Sequence, residues 1–205
     1  MKRKFIGYYR LCDLLTMTGT LFAITGIFLA INDKCLYAVF CLIISGICDA
    51  FDGKLASLHK SDKLQKNYGI ELDSLSDVIS FGILPIVIAS CTTDCNILSY
   101  LVFAFYALCG LIRLAYYNVL AINKVENNDH FIGVPITASA IFFPLIWLAS
   151  YYIEWIQFNF TFYFLLFGFL FIIPIKIEKL DLTGKILLSL IGIIFIIFML
   201  FLICF

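Results

Sequence analysis

Four aspartates fall within 29 residues of this chain: Asp49 and Asp52 stand three apart, Asp73 and Asp77 four apart. On helices, residues at these spacings share a face. If the two helices are antiparallel neighbours, two pairs of carboxylates meet across one interface. Four carboxylates brought together cannot all stay ionised without counter-charge, and the sequence offers no four buried basic partners. The natural neutraliser is a divalent cation, and all-oxygen ligation suits Mg²⁺, Mn²⁺ or Ca²⁺ rather than zinc or copper. Two hard cations bridged by carboxylates are a device for stabilising phosphoryl transfer. Gly53, next to Asp52, would let a phosphate or nucleotide approach the backbone, and Gly69 lies four residues before Asp73 on the same helical face. Helix caps and a solvated loop edge would explain any one of these aspartates. They explain four, paired at helical spacings, far less well.

The elements that must position these acids are membrane helices. The chain has 205 residues, of which 63% are apolar and 14% charged, with a mean hydropathy of +1.04. Soluble domains are nearer half apolar and a quarter charged, so a water-soluble globular fold is excluded, as are disordered, collagenous and coiled-coil chains. The length suits one domain, 1–205, an all-α bundle of about seven transmembrane helices (six to eight). Apolar runs stand at 14–31, 36–50, 78–90, 97–120, 131–153, 158–175 and 186–205. The second and third are long enough to span only if their helices continue into the polar stretch between them, which carries the acids. With the N-terminus in the cytoplasm, 13 of the 14 basic residues fall on the cytoplasmic face and only Lys34 outside. This puts the aspartates at the cytoplasmic surface of a multi-pass protein of the cell membrane. Net charge is zero, and no nucleic acid is expected among its partners.

The N-terminal Met1–Lys4 and the apolar run after it are expected to form a retained first span rather than a cleaved signal, with Asp13 capping the helix. Most of the eight cysteines lie in apolar runs and serve as small hydrophobes; Cys91 and Cys95 are the one pair spaced to bridge near the outer face. His59 and His130 lack partners at metal-ligand spacing. Arg113 is the basic residue embedded in an apolar run: a snorkelling arginine on one reading, an anchor for a lipid phosphate or a carboxylate on the other. Ser74, Ser76 and Ser80 are expected to bond between helices or to substrate. The Phe-rich run 158–171 is expected to be lipid-facing bulk, with Trp147 and Trp155 at the membrane interface.

The stretch Asp49-Ala-Phe-Asp52-Gly53-Lys-Leu-Ala56, followed by Gly69-Ile-Glu-Leu-Asp73-Ser-Leu-Ser-Asp77, resembles the signature of the CDP-alcohol phosphatidyltransferase family. Glu71–Pro85, Leu111–Asn118 and Gly133–Thr137 resemble stretches of the bacterial phosphatidylserine synthases within it, and the similarity covers roughly residues 13–148. The resemblance implies transfer of a phosphatidyl group from CDP-diacylglycerol to L-serine within a membrane, two divalent ions (Mg²⁺ or Mn²⁺), and a homodimer. It implies that Asp49, Asp52 and Asp73, with Asp77, surround the ions and that Asp77 is the general base. Gly53, Ala56 and Gly69 would line the nucleotide pocket. Two departures stand out. Ser57 replaces the signature's arginine, with Lys54, Lys60 or Lys63 as compensating cations. The spacer Leu58–Tyr68 is also lengthened, to 11 residues. Other acceptors, glycerol phosphate or inositol phosphate, remain open, as does an inactive nucleotide-lipid-binding homologue. An ion-coupled transporter would spread its acids through the bilayer depth instead of clustering them at one face.

Overall fold

The computed structural model describes residues 6–58, 61–123, 130–153, 160–178 and 182–204. Among them are seven helices: α1 (Leu11–Ile31), α2 (Cys35–Leu58), α3 (Lys63–Thr92), α4 (Ile97–Ile122), α5 (Ser139–Tyr152), α6 (Phe160–Ile172) and α7 (Leu182–Cys204). The first four are each long and apolar enough to cross a membrane, and the chain is a multi-pass membrane protein. As required, α2 and α3 continue through the polar stretch. Asp62 starts α3 by accepting from the Gln65 N–H at 2.7 Å, while Gln65 returns a bond to the Asp62 N–H. The lengthened spacer is therefore largely the capped first turns of α3, not a loop.

Helix α1 packs through small residues and turns its large apolar ones outward. The buried positions of α1 are Cys12, Asp13, Thr16, Gly19, Ala23, Gly26 and Ala30, whereas Leu14, Leu21, Phe28 and Ile31 are exposed. Lipid is as apolar as leucine, so helices associate through small residues and close backbones. A Cβ on Gly26 would meet Cys41 at 2.9 Å and Leu84 at 3.0 Å, and one on Gly46 would meet Ala140 at 2.6 Å. These approaches bring α1 against α2 and α3, and α2 against α5. The contact of α1 with α2 is the most extensive in the fold.

Two regions differ from the sequence-based expectations. The predicted fifth span loses its first residues: His130–Ile132 is extended and pairs antiparallel with Lys176–Glu178. Gly133 has φ +74°, Pro135 offers no N–H, and α5 begins only at Ser139 after a single 3₁₀ turn. The Phe-rich helix α6 is not simply lipid-facing. Phe160, Phe164, Phe167 and Phe171 are buried, and Phe164 stacks on Phe103, Tyr106 and Phe143 at centroid distances of 4.4–5.0 Å, while Phe162 and Phe169 are exposed. Trp147 is likewise buried in the core rather than facing an interface; Trp155 lies outside the described residues.

Helix α3 widens to a π-helical turn at Val78–Ile83, directly after Asp77. The cause is local: Pro85 has no N–H to give to the carbonyl four residues earlier, that of Phe81. This carbonyl accepts instead from the Tyr106 hydroxyl of α4 at 2.7 Å and the Ser139 hydroxyl of α5 at 3.3 Å. Tyr106 is fully buried. Tyr106→Phe is expected to destabilise the fold by about 1 kcal/mol, read from unfolding in detergent, because it strips a buried carbonyl of its shorter bond.

Candidate functional site

The acids are delivered by α2 and α3 and closed over by α1. Asp49 and Asp52 lie on one face of α2 near its C-terminal end; Asp73 and Asp77 lie on α3, one turn apart. Carboxylate oxygens of Asp49, Asp52 and Asp73 lie within 4.8 Å of one another. The predicted meeting of the two pairs across one interface is what the fold produces. Asp77 lines the same cavity and is 7% exposed. Asp49, Asp52 and Asp73 form a group able to hold a metal ion: three hard oxygen donors drawn together from two helices, Asp52 buried and the other two half-buried.

Helix α1 supplies polar groups that sequence reasoning did not single out. Thr16 donates to Asp52 Oδ2 at 2.6 Å. One turn on, Thr20 shares a short hydrogen bond with Ser76 of α3, and Ser45 of α2 donates to the Gly19 carbonyl of α1 at 2.7 Å. Asp13 does serve the start of α1, but from inside the helix, accepting from the Arg10 N–H at 2.8 Å. Its carboxylate also binds the Arg10 guanidinium, Nη2 at 2.8 Å and Nε at 3.1 Å. The available signal was a stripe: Arg10, Asp13, Thr16 and Thr20 recur at three- and four-residue intervals along an otherwise apolar helix.

The remaining predicted residues sort by position. Gly53 is exposed, and a Cβ there would meet nothing within 4 Å, so packing within the chain does not explain the glycine. Ala56 is half-buried one turn beyond Asp52, and exposed Ser57 donates to the Lys54 carbonyl at 2.6 Å. Lys60 and His59 lie outside the described residues. Gly69 is buried, and a Cβ there would overlap Arg10 Nη2 and stand 2.7 Å from its Cζ, so a side chain would displace the guanidinium. Ser74 donates to Asn118 of α4 at 2.7 Å, so Ser74 and Ser76 both bond between helices, while Ser80 lines the acidic cavity.

Arg113 does not line that cavity. It is 6% exposed, donates from Nη1 to the Ile132 carbonyl at 2.6 Å, and stacks 4.5 Å from the Tyr117 ring centroid. It thereby ties the extended segment before Gly133 to α4. Cys91 and Cys95 are both free thiols.

Residues 9–172 match the sequence model of a family described as CDP-alcohol phosphatidyltransferase. Among curated proteins, the archaetidylserine synthase of Methanothermobacter thermautotrophicus is 32% identical over 154 residues, covering 74% of this chain and 64% of that protein. The CDP-diacylglycerol–serine O-phosphatidyltransferase of Helicobacter pylori is 33% identical over 135 residues, 65% of this chain and 55% of the relative. A protein of the same name from Saccharomyces cerevisiae is 35% identical over 99 residues, 45% of this chain and 35% of the relative. The chain thus spans between about a third and two thirds of the length of these relatives.

The hydrogen bond from Thr16 to the buried Asp52 carboxylate generates a test. Thr16→Val is expected to lower stability by about 1–2 kcal/mol in chelator-treated protein, measured by thermal unfolding in detergent. An unchanged unfolding temperature would show that Asp52 does not depend on this donor.

Proposed function

The chain belongs to the CDP-alcohol phosphatidyltransferase family, and we propose that it transfers the phosphatidyl group of CDP-diacylglycerol to L-serine, yielding phosphatidylserine and CMP. The observation that carries the reading is the convergence of Asp49, Asp52 and Asp73, with Asp77 on the next turn, each pair at the signature's spacing. Serine as acceptor is supported by the relatives, whose names all specify a serine-linked lipid or a serine acceptor.

In this reading Asp49, Asp52 and Asp73, with Asp77 beside them, hold two divalent ions, Mg²⁺ or Mn²⁺. Bound there, the ions would supply positive charge against the transferred phosphoryl group and the departing CMP. Asp77 is the general base: its carboxylate takes the proton of the serine hydroxyl as the new oxygen–phosphorus bond forms. The phosphorus–oxygen bond to CMP breaks in the same displacement, and CMP leaves with the electron pair. Burial of Asp77 suits this role, since it keeps bulk water from competing with serine for the base. Gly53 and Ala56 keep the end of α2 low where the cytidine diphosphate lies, and Gly69 and Lys60 belong to the same pocket. Arg113 is proposed as the anchor for the lipid phosphate or the serine carboxylate. By the distribution of Lys and Arg, the N-terminus and the acidic site face the cytoplasm. A homodimer is proposed by analogy with the family.

The test is CMP release by purified protein in detergent with CDP-diacylglycerol and Mn²⁺ or Mg²⁺, serine being compared with glycerol 3-phosphate and inositol phosphate. Serine-dependent release is expected, lost on chelation, restored by either ion, and lowered about 100-fold or more in Asp77→Asn. Release with another alcohol would keep the family and overturn the acceptor. Binding of CDP-diacylglycerol without release from any acceptor would identify an inactive homologue.

A further inference from the structure

Arg10 stands just before α1, outside the acid-bearing helices, yet its side chain lies against α3 beside Gly69. Asp13 engages its Nε and Nη2, and the Arg10 side chain is only 13% exposed. The guanidinium fills the space that a side chain at position 69 would take, one helical turn before Asp73. The segment leading to it is held on α3 by rings: Tyr8 and Tyr9 lie 6.2 and 5.6 Å from Tyr68, the residue before Gly69. Burial works against the charged form of Arg10, but the hydrogen bond and charge of Asp13, with smaller contributions from Cys12 and Asp52, outweigh it and raise its pKa. Asp13, the partner of Arg10, stands one turn before Thr16, which donates to Asp52. Among the described residues, no protein acceptor takes Nη1.

A partly buried ion pair seldom repays its desolvation by stability alone, and this one sits where the facing helix carries a glycine. The arrangement instead holds a planar, permanently charged fork on α3 beside Gly69, four residues before Asp73, its position fixed by one carboxylate and part of its donor set unspent. Such a fork suits the oxygens of a phosphate, and a diphosphate approaching four carboxylates needs a cation that does not leave with it. We propose that Arg10 is a substrate-binding residue, contacting a phosphate oxygen of the nucleotide diphosphate, with Asp13 as its positioning partner and Gly69 as its seat. This rests on the nucleotide-lipid reading above.

The experiment follows CMP release against CDP-diacylglycerol concentration at saturating serine and Mn²⁺. R10Q is expected to raise the KM for CDP-diacylglycerol about tenfold or more, with kcat and the KM for serine within about threefold of the parent and R10K between the two. An unchanged KM for CDP-diacylglycerol in R10Q overturns the proposal. So does a loss spread over kcat and both KM values together with a lowered unfolding temperature, which is the mark of a structural cap. If R10Q does not fold, D13N replaces it, since it removes the carboxylate that positions the guanidinium while leaving Arg10 and Gly69 in the chain. The same rise in KM is expected, and an unchanged KM overturns the proposal. If the unsubstituted protein releases no CMP, the functional reading fails by itself. Arg10 is then judged by equilibrium binding of CDP-diacylglycerol with Mn²⁺, which R10Q weakens about tenfold if the proposal holds and leaves unchanged if it does not.

Discussion

Mutual repulsion among carboxylates held within 4.8 Å of one another is the constraint from which the rest of this structure follows. In water the cost would be modest. In a helix interface with little solvent, the same charges interact several times more strongly. Every neighbouring element mitigates that cost. Thr16 donates to Asp52, small residues on α1 let the helices close without bulk apolar side chains at the acids, and the donor set is shaped for hard cations. The acids also explain why α2 and α3 must outrun their apolar segments. A helix ending at residue 50 would leave Asp52 in a loop, unable to share a face with Asp49.

A second constraint acts on α3, which carries half of the acids. Pro85 removes a donor from the helix about two turns after Asp77, and the π-helical turn that results is held by side chains of two other helices, Tyr106 and Ser139. Widened turns of this kind are frequent at functional sites. Here the widening sets the phase between the acid-bearing part of α3 and its fully apolar end. The position of Asp77 is thus coupled to the packing of α4 and α5, whose own side chains do not line the acidic cavity.

Membrane packing accounts for the small-residue face of α1. Water does not drive apolar residues inward here, because lipid and core are equally apolar. What turns inward is what fits or bonds: Gly19, Gly26 and Gly46 for close approach, Thr16, Thr20, Ser45 and Ser76 for hydrogen bonds between helices. Aromatic stacking performs the corresponding service farther from the acids, where Phe164 joins α6 to α4 and α5.

Two kinds of information were legible in the residues alone. The spacing of Asp49, Asp52, Asp73 and Asp77 determined which acids share a helical face, because helical periodicity is local and needs no tertiary partner. Length and hydropathy determined that the helices lie in a membrane, and the shortness of two apolar runs required α2 and α3 to extend through the polar stretch. Other features were decided only when the helices packed. Gly69 read as room for a nucleotide, yet its bare Cα receives the guanidinium of Arg10, 59 residues earlier in the chain. Trp147 and the buried face of α6 read as interfacial and lipid-facing, because composition cannot tell an inward from an outward apolar face when both surroundings are apolar. Pro85 was visible, but not that Tyr106 and Ser139 would complete the carbonyl it leaves open. Such pairings join residues 25 and 58 positions apart, and nothing in a local period carries that distance.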